Sequence, residues 1–456
     1  MKKIFNLFII CTTTLLTYTA CSTDDLEPTL AQEEAVETSV NSADDLNSLL
    51  IGMYSYMADD SFYGRDVLVY GDARTDNAYS NGSSGRFITI SRMDLISTDG
   101  YAEETWQRAY EAIANANIII GADTESLEGD LTTINHYKAQ AYAARALVHF
   151  ELLKLYGQEH AGGTLGIPYI TKYKDDIYPA RNTVAEVKAA IADDFTTALS
   201  LISSSLDTSK EFITKEAIYG FQSRFYIYTK NWTAAKTAAY NVINSAKFSI
   251  ATTANYVSTW STDGSANSIF ELAYSDVDKL GNTGLGEIYN GTAYGDIEAL
   301  EGYYNLFEPG DIRISSSMFT ITGNVYRNAG KFPSTQGDTN LSLLRYEEVI
   351  LNYAEALFNL NDSNAITYLN MIPANRNATA YTSISEAIIL KERQKELAFE
   401  GFRFWDLLRT GQGIDYVDSK QTFSSSGVAY GSNDLAFPIP EDEVNANTNM
   451  VQNDGY

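Results

Sequence analysis

Hydrophobic residues recur every three to four positions over several long segments of the chain, a spacing that is typical of amphipathic helices. The first stripe consists of Leu46, Leu49, Leu50 and Met53. Either Ser42 or Asp44 can cap a helix that begins just before this stripe and ends near Met57. Further stripes predict helices over residues 102–121, 136–156, 183–201, 215–229 and 232–246, and another that starts at Tyr346. The pattern therefore predicts a fold that is mainly all-α.

Residues 215–246 contain two helices joined by the short turn Lys230-Asn231. The second helix has small residues where the two would cross, namely Ala234, Ala235, Ala238 and Ala239. Small residues let two helices approach closely, which is the geometry of a tetratricopeptide unit. Similar pairs can be assigned to 102–156, Tyr346–Met371 and 385–408. The sequence thus predicts a tetratricopeptide-like scaffold of about four degenerate helix pairs.

Two segments interrupt this scaffold. Residues 58–100 and 247–342 are rich in glycine, serine, threonine and tyrosine and show little helical spacing, so we expect an inserted lobe of loops and short strands. The scaffold is then expected over about 42–57, 102–246 and 343–410, and residues 411–456 are expected to form a closing strip. Together, residues 42–456 are expected to form one domain.

The N-terminus has the pattern of a secretory signal peptide. Lys2 and Lys3 precede the apolar run Ile4–Leu16, and small residues follow before Cys21. The run is too short to predict a transmembrane helix. We therefore expect residues 1–20 to be removed, and the acidic residues 21–41 to form a flexible tether.

Cys21 is expected to be the single cysteine of the mature chain, because Cys11 lies within the apolar run. An exported chain with one cysteine has no intramolecular disulfide to form. The arrangement resembles a bacterial lipobox, in which this cysteine is acylated and becomes the first residue. Ordinary cleavage nearby, which would leave an unpaired thiol, is the alternative.

The formal net charge of −27 limits the possible partners. Such a chain repels nucleic acids and anionic membrane surfaces, so we exclude nucleic-acid binding and expect contact with a bilayer only through a lipid. The chain also contains 32 tyrosines and only 8 prolines. Tyrosine suits both the faces of sugars and the seams between helices, so composition does not decide between these uses.

No motif for metal or nucleophilic catalysis is evident. The three histidines are not spaced as metal ligands, and Asp276-Val277-Asp278 lacks the further ligands of a calcium loop. A glycosidase needs only two carboxylates, for which the pairs Glu347/Glu348 and Glu396/Glu400 are candidates. Both pairs lie on predicted scaffold helices, where ion pairing is the favoured role. We therefore predict no catalytic activity, no metal and no cofactor.

Ligand binding is the remaining class of function. A glycan site combines aromatic rings that stack on sugars with polar side chains that bind hydroxyl groups, and the loops 72–87 and 286–304 supply both. The candidates for stacking are Tyr79, Tyr289, Tyr294 and Tyr303. The candidates for polar contacts are Asp76, Asn77 and Arg86. For each residue taken singly, packing within a loop is the alternative.

The densest apolar cluster lies in Lys391–Gly411, KERQKELAFEGFRFWDLLRTG. Its large apolar side chains are Phe402, Phe404, Trp405, Leu407 and Leu408. Such a cluster is expected to be buried with its neighbouring charges paired, so we interpret it as an element that locks the core. The segment closely resembles the C-terminal signature of the SusD/RagB family, whose pattern is approximately ERRxELAFEGxRxxDLxRTG.

The end of the chain, Ala436–Tyr456, also resembles the family pattern PIPxxEhxxNxxhxQNxGY. Further similarity is found over Trp106–Gly121, Ala139–Gly157 and Leu344–Ala356. One departure is Pro373, where the family usually has arginine, so the end of that helix is expected to be rearranged.

The resemblance implies a lipid-anchored protein on the outer face of a Bacteroidetes outer membrane, with Cys21 as the anchor. It also implies a helical scaffold with an irregular lobe that carries the ligand contacts. Such a protein would act as a lid on a SusC-like TonB-dependent barrel and deliver oligosaccharide or polysaccharide to it. A RagB-like peptide-binding protein and a surface glycoside hydrolase are the alternatives.

Overall fold

The long helices begin and end close to their predicted bounds in the computed structural model, which describes residues 40–174 and 177–456. The predicted signal peptide, Cys21 and almost all of the predicted tether lie outside these residues. Residues Ser42–Tyr456 form one compact unit. No helix of the described residues is long and apolar enough to span a bilayer.

The first helices are α1 (Ala43–Ala58), α2 (Asp66–Tyr70), α3 (Ile88–Arg92), α4 (Gly100–Gly121), α5 (Leu131–Tyr156), α6 (Val184–Leu201), α7 (Lys215–Tyr228) and α8 (Trp232–Asn244). They are followed by α9 (Tyr256–Thr259), α10 (Leu285–Asn290), α11 (Glu301–Tyr304), α12 (Tyr346–Asn359), α13 (Ala365–Leu369), α14 (Met371–Ala374), α15 (Glu386–Leu397), α16 (Arg403–Arg409) and α17 (Glu441–Ala446). The strands are β1 (Ala78–Ser80), β2 (Ser268–Leu272), β3 (Ile297–Ala299), β4 (Phe319–Thr322), β5 (Val325–Asn328) and β6 (Leu341–Arg345). The predicted mainly helical class is confirmed.

Capping side chains explain where the scaffold helices start. At α1, the Ser42 hydroxyl accepts a hydrogen bond from the Asp45 backbone N–H, and the Asp45 carboxylate accepts one from the Ser42 N–H. Thr183 and Glu186 form the same reciprocal arrangement at α6. Helix α5 begins five residues before the predicted start, because the Asp130 carboxylate caps it by accepting from the Thr133 N–H at 3.0 Å.

The scaffold helices pack as pairs. Helix α4 packs between α1 and α5, α5 also packs on α6, and α7 packs on α8 after a tight turn. Ala235, Ala238 and Ala239 are buried on α8, so the predicted small-residue crossing in this pair is confirmed. The tetratricopeptide-like character of the scaffold therefore follows from the sequence pattern.

The lobe contains more regular structure than the loops that were expected. Residues 58–100 form two short helices, α2 and α3, in addition to the strand β1. Residues 247–342 supply β2 to β5 and the start of β6. Antiparallel pairing forms a four-stranded sheet of order β1-β3-β5-β4 and a two-stranded sheet of β2 and β6. Because β1 pairs with β3, the sheet joins two segments that lie more than two hundred residues apart in sequence.

The segment Lys391–Gly411, which we call the signature segment, binds α12 through buried ion pairs and hydrogen bonds. On α15, the Arg393 guanidinium contacts the Asp406 carboxylate of α16 at 2.8 Å and the Asn352 side chain of α12 at 2.7 Å. On α16, Arg409 binds Glu355 of α12 through both carboxylate oxygens. All five side chains are buried. The prediction that this segment is buried with its charges paired is confirmed.

Candidate ligand-binding surface

The pairing of β1 with β3 creates a surface that we call the β1–β3 strip, which consists of residues 79–86 and 294–298. Tyr79 lies opposite Glu298, and Ser80 lies opposite Ile297. The ladder continues past the strands, because the Asn81 N–H donates to the Asp296 carbonyl at 2.8 Å. Parts of the two loop regions that were predicted to bind ligand are thus held side by side.

Short polar side chains fix the loop after β1 onto the other half of the strip. The Asn81 amide donates to the Gly295 carbonyl at 2.9 Å and to the Glu298 carboxylate at 2.7 Å. The Ser84 hydroxyl donates to the Asp296 carboxylate at distances of 2.7 and 2.8 Å. The Ser83 hydroxyl donates to the Tyr294 carbonyl at 3.2 Å. A hydroxyl- and amide-rich loop is therefore ordered by its own hydrogen bonds.

Arg86 and Tyr294 meet on this strip. The carbon atom at the centre of the Arg86 guanidinium lies 3.9 Å from the centroid of the Tyr294 ring, which is the geometry of a cation–π contact. Arg86 also donates to the Ser84 hydroxyl at 2.9 Å. Both side chains are only partly buried. The strip therefore presents an oriented aromatic ring beside a guanidinium and several hydroxyl groups.

Tyr79 is buried at 7% exposure, and its hydroxyl donates to the Glu298 carboxylate. Burial, and then this hydrogen bond, raise the pKa of Tyr79 above its ordinary value. Arg327 donates to the same carboxylate at 2.9 Å. In this structure Tyr79 thus orients Glu298, and its ring is largely covered.

Asp76 and Asn77 are held by the signature segment. The Asp76 carboxylate forms two contacts of 2.7 Å with the Arg403 guanidinium. The fully buried Asn77 accepts from the Gln394 side chain at 2.9 Å and donates to Asp72 at 2.7 Å. Both residues therefore position the loop that leads into β1.

Tyr289 and Tyr303 lie in the interior, with exposed fractions of only 1% and 2%. The Tyr289 ring stacks on Phe332 at a centroid distance of 5.7 Å, and both tyrosines pack edge-on against Phe399 at 5.3 and 5.4 Å. Because neighbouring aromatic rings cover them, these two rings are not accessible for stacking on a ligand in this structure. Of the seven candidates, the structure brings Arg86 and Tyr294 together at the surface.

Three further residues near the strip were not among the candidates from the sequence. Tyr304 and Tyr326 are partly exposed with their ring centroids 5.3 Å apart, and Tyr326 lies opposite Ala299 of β3. The Lys420 ammonium group lies 5.6 Å from the Tyr79 ring and 6.0 Å from the Tyr326 ring. The strand β5 has only four residues, which is too short a pattern to reveal this neighbourhood from the sequence.

The carboxylates considered for catalysis are buried and paired. Glu348 contacts Arg224 at 2.7 Å, and Glu400 contacts Arg345 at the same distance. Glu347 and Glu396 both contact Arg376. The predicted ion-pairing role of these four residues is confirmed. Within residues 40–174 and 177–456, no group of three or more potential metal-binding side chains is present, and the Asp276 carboxylate is almost fully exposed.

Family models match the two halves of the chain. A model described as "Starch-binding associating with outer membrane" matches residues 25–227. A second model, described as "SusD family", matches residues 250–456. Together these two matches account for most of the sequence, including the strip and the signature segment.

Individual relatives agree with these matches. SusD-like protein P2 of Formosa agariphila is 25% identical over 528 residues, and the alignment covers 100% of both chains. Starch-binding protein SusD of Bacteroides thetaiotaomicron is 32% identical over 139 residues, which are 29% of this chain and 24% of that protein. A crystal structure of a SusD superfamily protein from the same organism has a TM-score of 0.83 and 27% identity, and covers 90% of this chain and 99% of that one.

Proposed function

The chain belongs to the SusD/RagB family, and from this premise we propose that it is a cell-surface protein that binds glycans without transforming them. The observation that carries the proposal is the contact between Arg86 and Tyr294 on the β1–β3 strip. Arg86 covers one face of the Tyr294 ring, and a sugar would pack on the part of the ring that stays exposed. The adjacent guanidinium and serine hydroxyl groups offer donors and acceptors to the hydroxyl groups of the sugar.

Preorganisation supports this assignment. The strip lies on an antiparallel sheet. The side chains of Asn81, Ser83 and Ser84 hold its loop in place by hydrogen bonds to residues 294–296. Since these contacts already exist, a ligand would lose little free energy in ordering the site. One relative is a starch-binding protein, and the matching family model describes starch binding in association with the outer membrane, so both agree in ligand class with this chemistry.

We further propose that the protein serves a SusC-like TonB-dependent barrel in the outer membrane. In this view Cys21 is acylated and holds the domain at the surface of the cell, next to the pore. Anchoring raises the effective concentration of captured oligosaccharide or polysaccharide at the barrel, so a modest affinity suffices. The acidic composition of the chain favours a lipid anchor over electrostatic attachment to the bilayer.

Replacement of Tyr294 with alanine is expected to weaken glycan binding at least about tenfold, or ~1.4 kcal/mol, because the stacking ring is removed. Arg86→Ala is expected to act in the same direction, since the ring then loses its cation–π partner. Affinity electrophoresis in gels that contain amylopectin or another polysaccharide from a panel, followed by calorimetry, measures the effect.

Tyr240→Ala is the matched control, because Tyr240 is a 47% exposed tyrosine on the scaffold helix α8. It should bind as the unaltered protein does. Equal losses in Tyr240→Ala and Tyr294→Ala would contradict a site on the strip. Release of reducing ends from a polysaccharide would identify a hydrolase, and binding of peptides but no glycan would favour the RagB-like alternative.

Anchoring is tested separately at the N-terminus. Mass spectrometry of the protein from its native membrane is expected to find a mature chain that begins with acylated Cys21. Cys21→Ser should then release the domain from membranes while leaving its glycan affinity unchanged. An unmodified mature terminus at another residue would contradict the anchoring proposal and leave the glycan proposal intact.

A further inference from the structure

A cavity of about 290 Å³ lies in the helical scaffold, apart from the residues of the β1–β3 strip. It is formed by α1, by the first part of α5, and by the segment 206–214 that leads into α7. Its lining includes Asn47, Thr133, Tyr137, Gln140, Phe212 and Thr214. The walls thus combine amide and hydroxyl groups with two aromatic rings.

Two hydrogen-bond acceptors in this lining have no partner among the described residues. They are Nδ1 of His136 and Oδ1 of Asp207, and both atoms are shielded by the surrounding protein. His136 as a whole is only 4% exposed. Buried polar atoms normally have a hydrogen-bond partner, so two unpartnered acceptors in one cavity point to a molecule that donates to them.

A neutral imidazole has one nitrogen that can accept a hydrogen bond, and we assign this role to Nδ1 of His136. Burial lowers the pKa of His136 below its ordinary value, so the ring is neutral near pH 7. A hydrogen bond with the Ser203 backbone opposes this shift, as expected when the ring donates a proton to a carbonyl. Nδ1 itself has no partner, and with the proton on Nε2 its lone pair is available to a ligand.

We propose that this cavity binds a monosaccharide, with two sugar hydroxyl groups donating to Nδ1 of His136 and Oδ1 of Asp207. Its volume lies at the lower end of the range of small-molecule pockets, roughly 300 Å³, which suits a single sugar ring better than a chain. Hydroxyl and amide groups of the walls can bind the other sugar hydroxyls, and Phe212 can contact an apolar face of the ring.

A protonated amine is a weaker candidate for the same two acceptors. Asp207 is the single carboxylate in the lining, and its Oδ2 already accepts the backbone N–H of Lys215 at 3.2 Å. An ammonium ion placed there would be paired with one charge, whereas most of the lining groups are neutral hydroxyls and amides. The composition of the walls therefore favours a neutral polyol.

The test uses the imidazole signals of the three histidines of the chain. The folded protein is titrated with glucose, galactose, mannose and N-acetylglucosamine, and the Nδ1 resonance of His136 is followed by long-range ¹H–¹⁵N NMR. At least one sugar should shift this resonance saturably at millimolar concentrations, since Nδ1 acquires a donor. The imidazole resonances of His149 and His160, which lie in other parts of the fold, serve as internal controls and should not shift.

Variants separate this site from the strip. Asp207→Asn should weaken sugar binding at least about tenfold at the His136 resonance, since the one remaining oxygen can keep the Lys215 N–H and an NH2 donor then replaces the acceptor that faces the cavity. His136→Phe removes the other acceptor, and calorimetry should show a loss of similar size. Tyr294→Ala should leave the His136 shift unchanged, so failure of the glycan site on the strip and failure of this site are distinguishable. No shift with any of the four sugars would overturn the proposal, and so would a shift with ethanolamine alone.

Discussion

Replacement of Arg376 with leucine is expected to lower the free energy of unfolding by about 3–5 kcal/mol, the range for breaking a buried ion pair from one side. The Arg376 side chain is fully buried. It contacts both carboxylate oxygens of Glu396, at 2.9 and 2.8 Å, and one oxygen of Glu347 at 3.0 Å. The same guanidinium donates to the carbonyls of Ala251 and Asn375. Leucine fills much of the space and replaces none of these donors.

The remaining charges explain why the loss should be large. Burial alone would raise the pKa of Glu396, but Arg376, Arg345 and Arg313 together lower it well below its ordinary value. Glu396 therefore stays ionised in the folded protein. Without Arg376, its longer contacts with Arg345 at 3.3 Å and Arg313 at 3.2 Å are all that compensate a buried negative charge.

Urea denaturation followed by circular dichroism measures this difference. Arg108→Leu is the matched control, because Arg108 pairs with Glu111 and Asp59 near the surface, where all three side chains are about one-third exposed. An exposed pair contributes only about 0–1 kcal/mol, so this variant should unfold close to the unaltered protein. Similar midpoints for the two variants would show that the buried network contributes no more than a surface pair.

The scaffold helices were predictable because the residues that define each helix lie close together in the sequence. Helical spacing and capping residues such as Ser42 and Thr183 lie within a few positions of the elements that they define. The early start of α5 was missed because the turn that Asp130 caps is mostly polar and its first apolar residue, Leu131, is exposed. Local patterns thus predict the interior of a helix more reliably than its first residue.

The candidate site was only partly predictable because it depends on contacts between distant segments. The composition of two loops indicated Arg86 and Tyr294, and the structure places them in contact. Tyr289 and Tyr303 were candidates on the same grounds, yet both are buried. The sequence does not show which side of a loop faces the core. Whether a loop tyrosine is exposed is decided by sheet register and by aromatic neighbours such as Phe399.

The signature segment influences the strip indirectly. Arg403 binds Asp76, and the Gly401 N–H donates to the Asp72 carboxylate at 3.0 Å. Gly71 lies so close to Gly401 that a Cβ atom there would come within 2.2 Å of the Gly401 carbonyl oxygen. The loop before β1 therefore packs on the signature segment. In this way the segment positions the β1–β3 strip, although it is not part of the strip.

Trp405→Ala is expected to lower the free energy of unfolding by about 3–5 kcal/mol, the range for truncating a buried aromatic side chain. Trp405 lies in the signature segment and is 5% exposed. Its ring packs edge-on against Phe404 at a centroid distance of 5.0 Å, and the Lys154 ammonium group lies 5.1 Å from the ring. Alanine would leave a cavity between α16 and α5 and remove both contacts.

Trp405→Phe is the matched control, because a smaller ring keeps part of the packing and should cost clearly less than alanine. Urea denaturation gives the stabilities of both variants, and calorimetry below their unfolding transitions gives their glycan affinities. Because Trp405 is buried and is not part of the β1–β3 strip, the affinity should remain within about twofold of the unaltered protein, or ~0.4 kcal/mol. A large loss of affinity in folded Trp405→Ala would place the signature segment in the binding site itself.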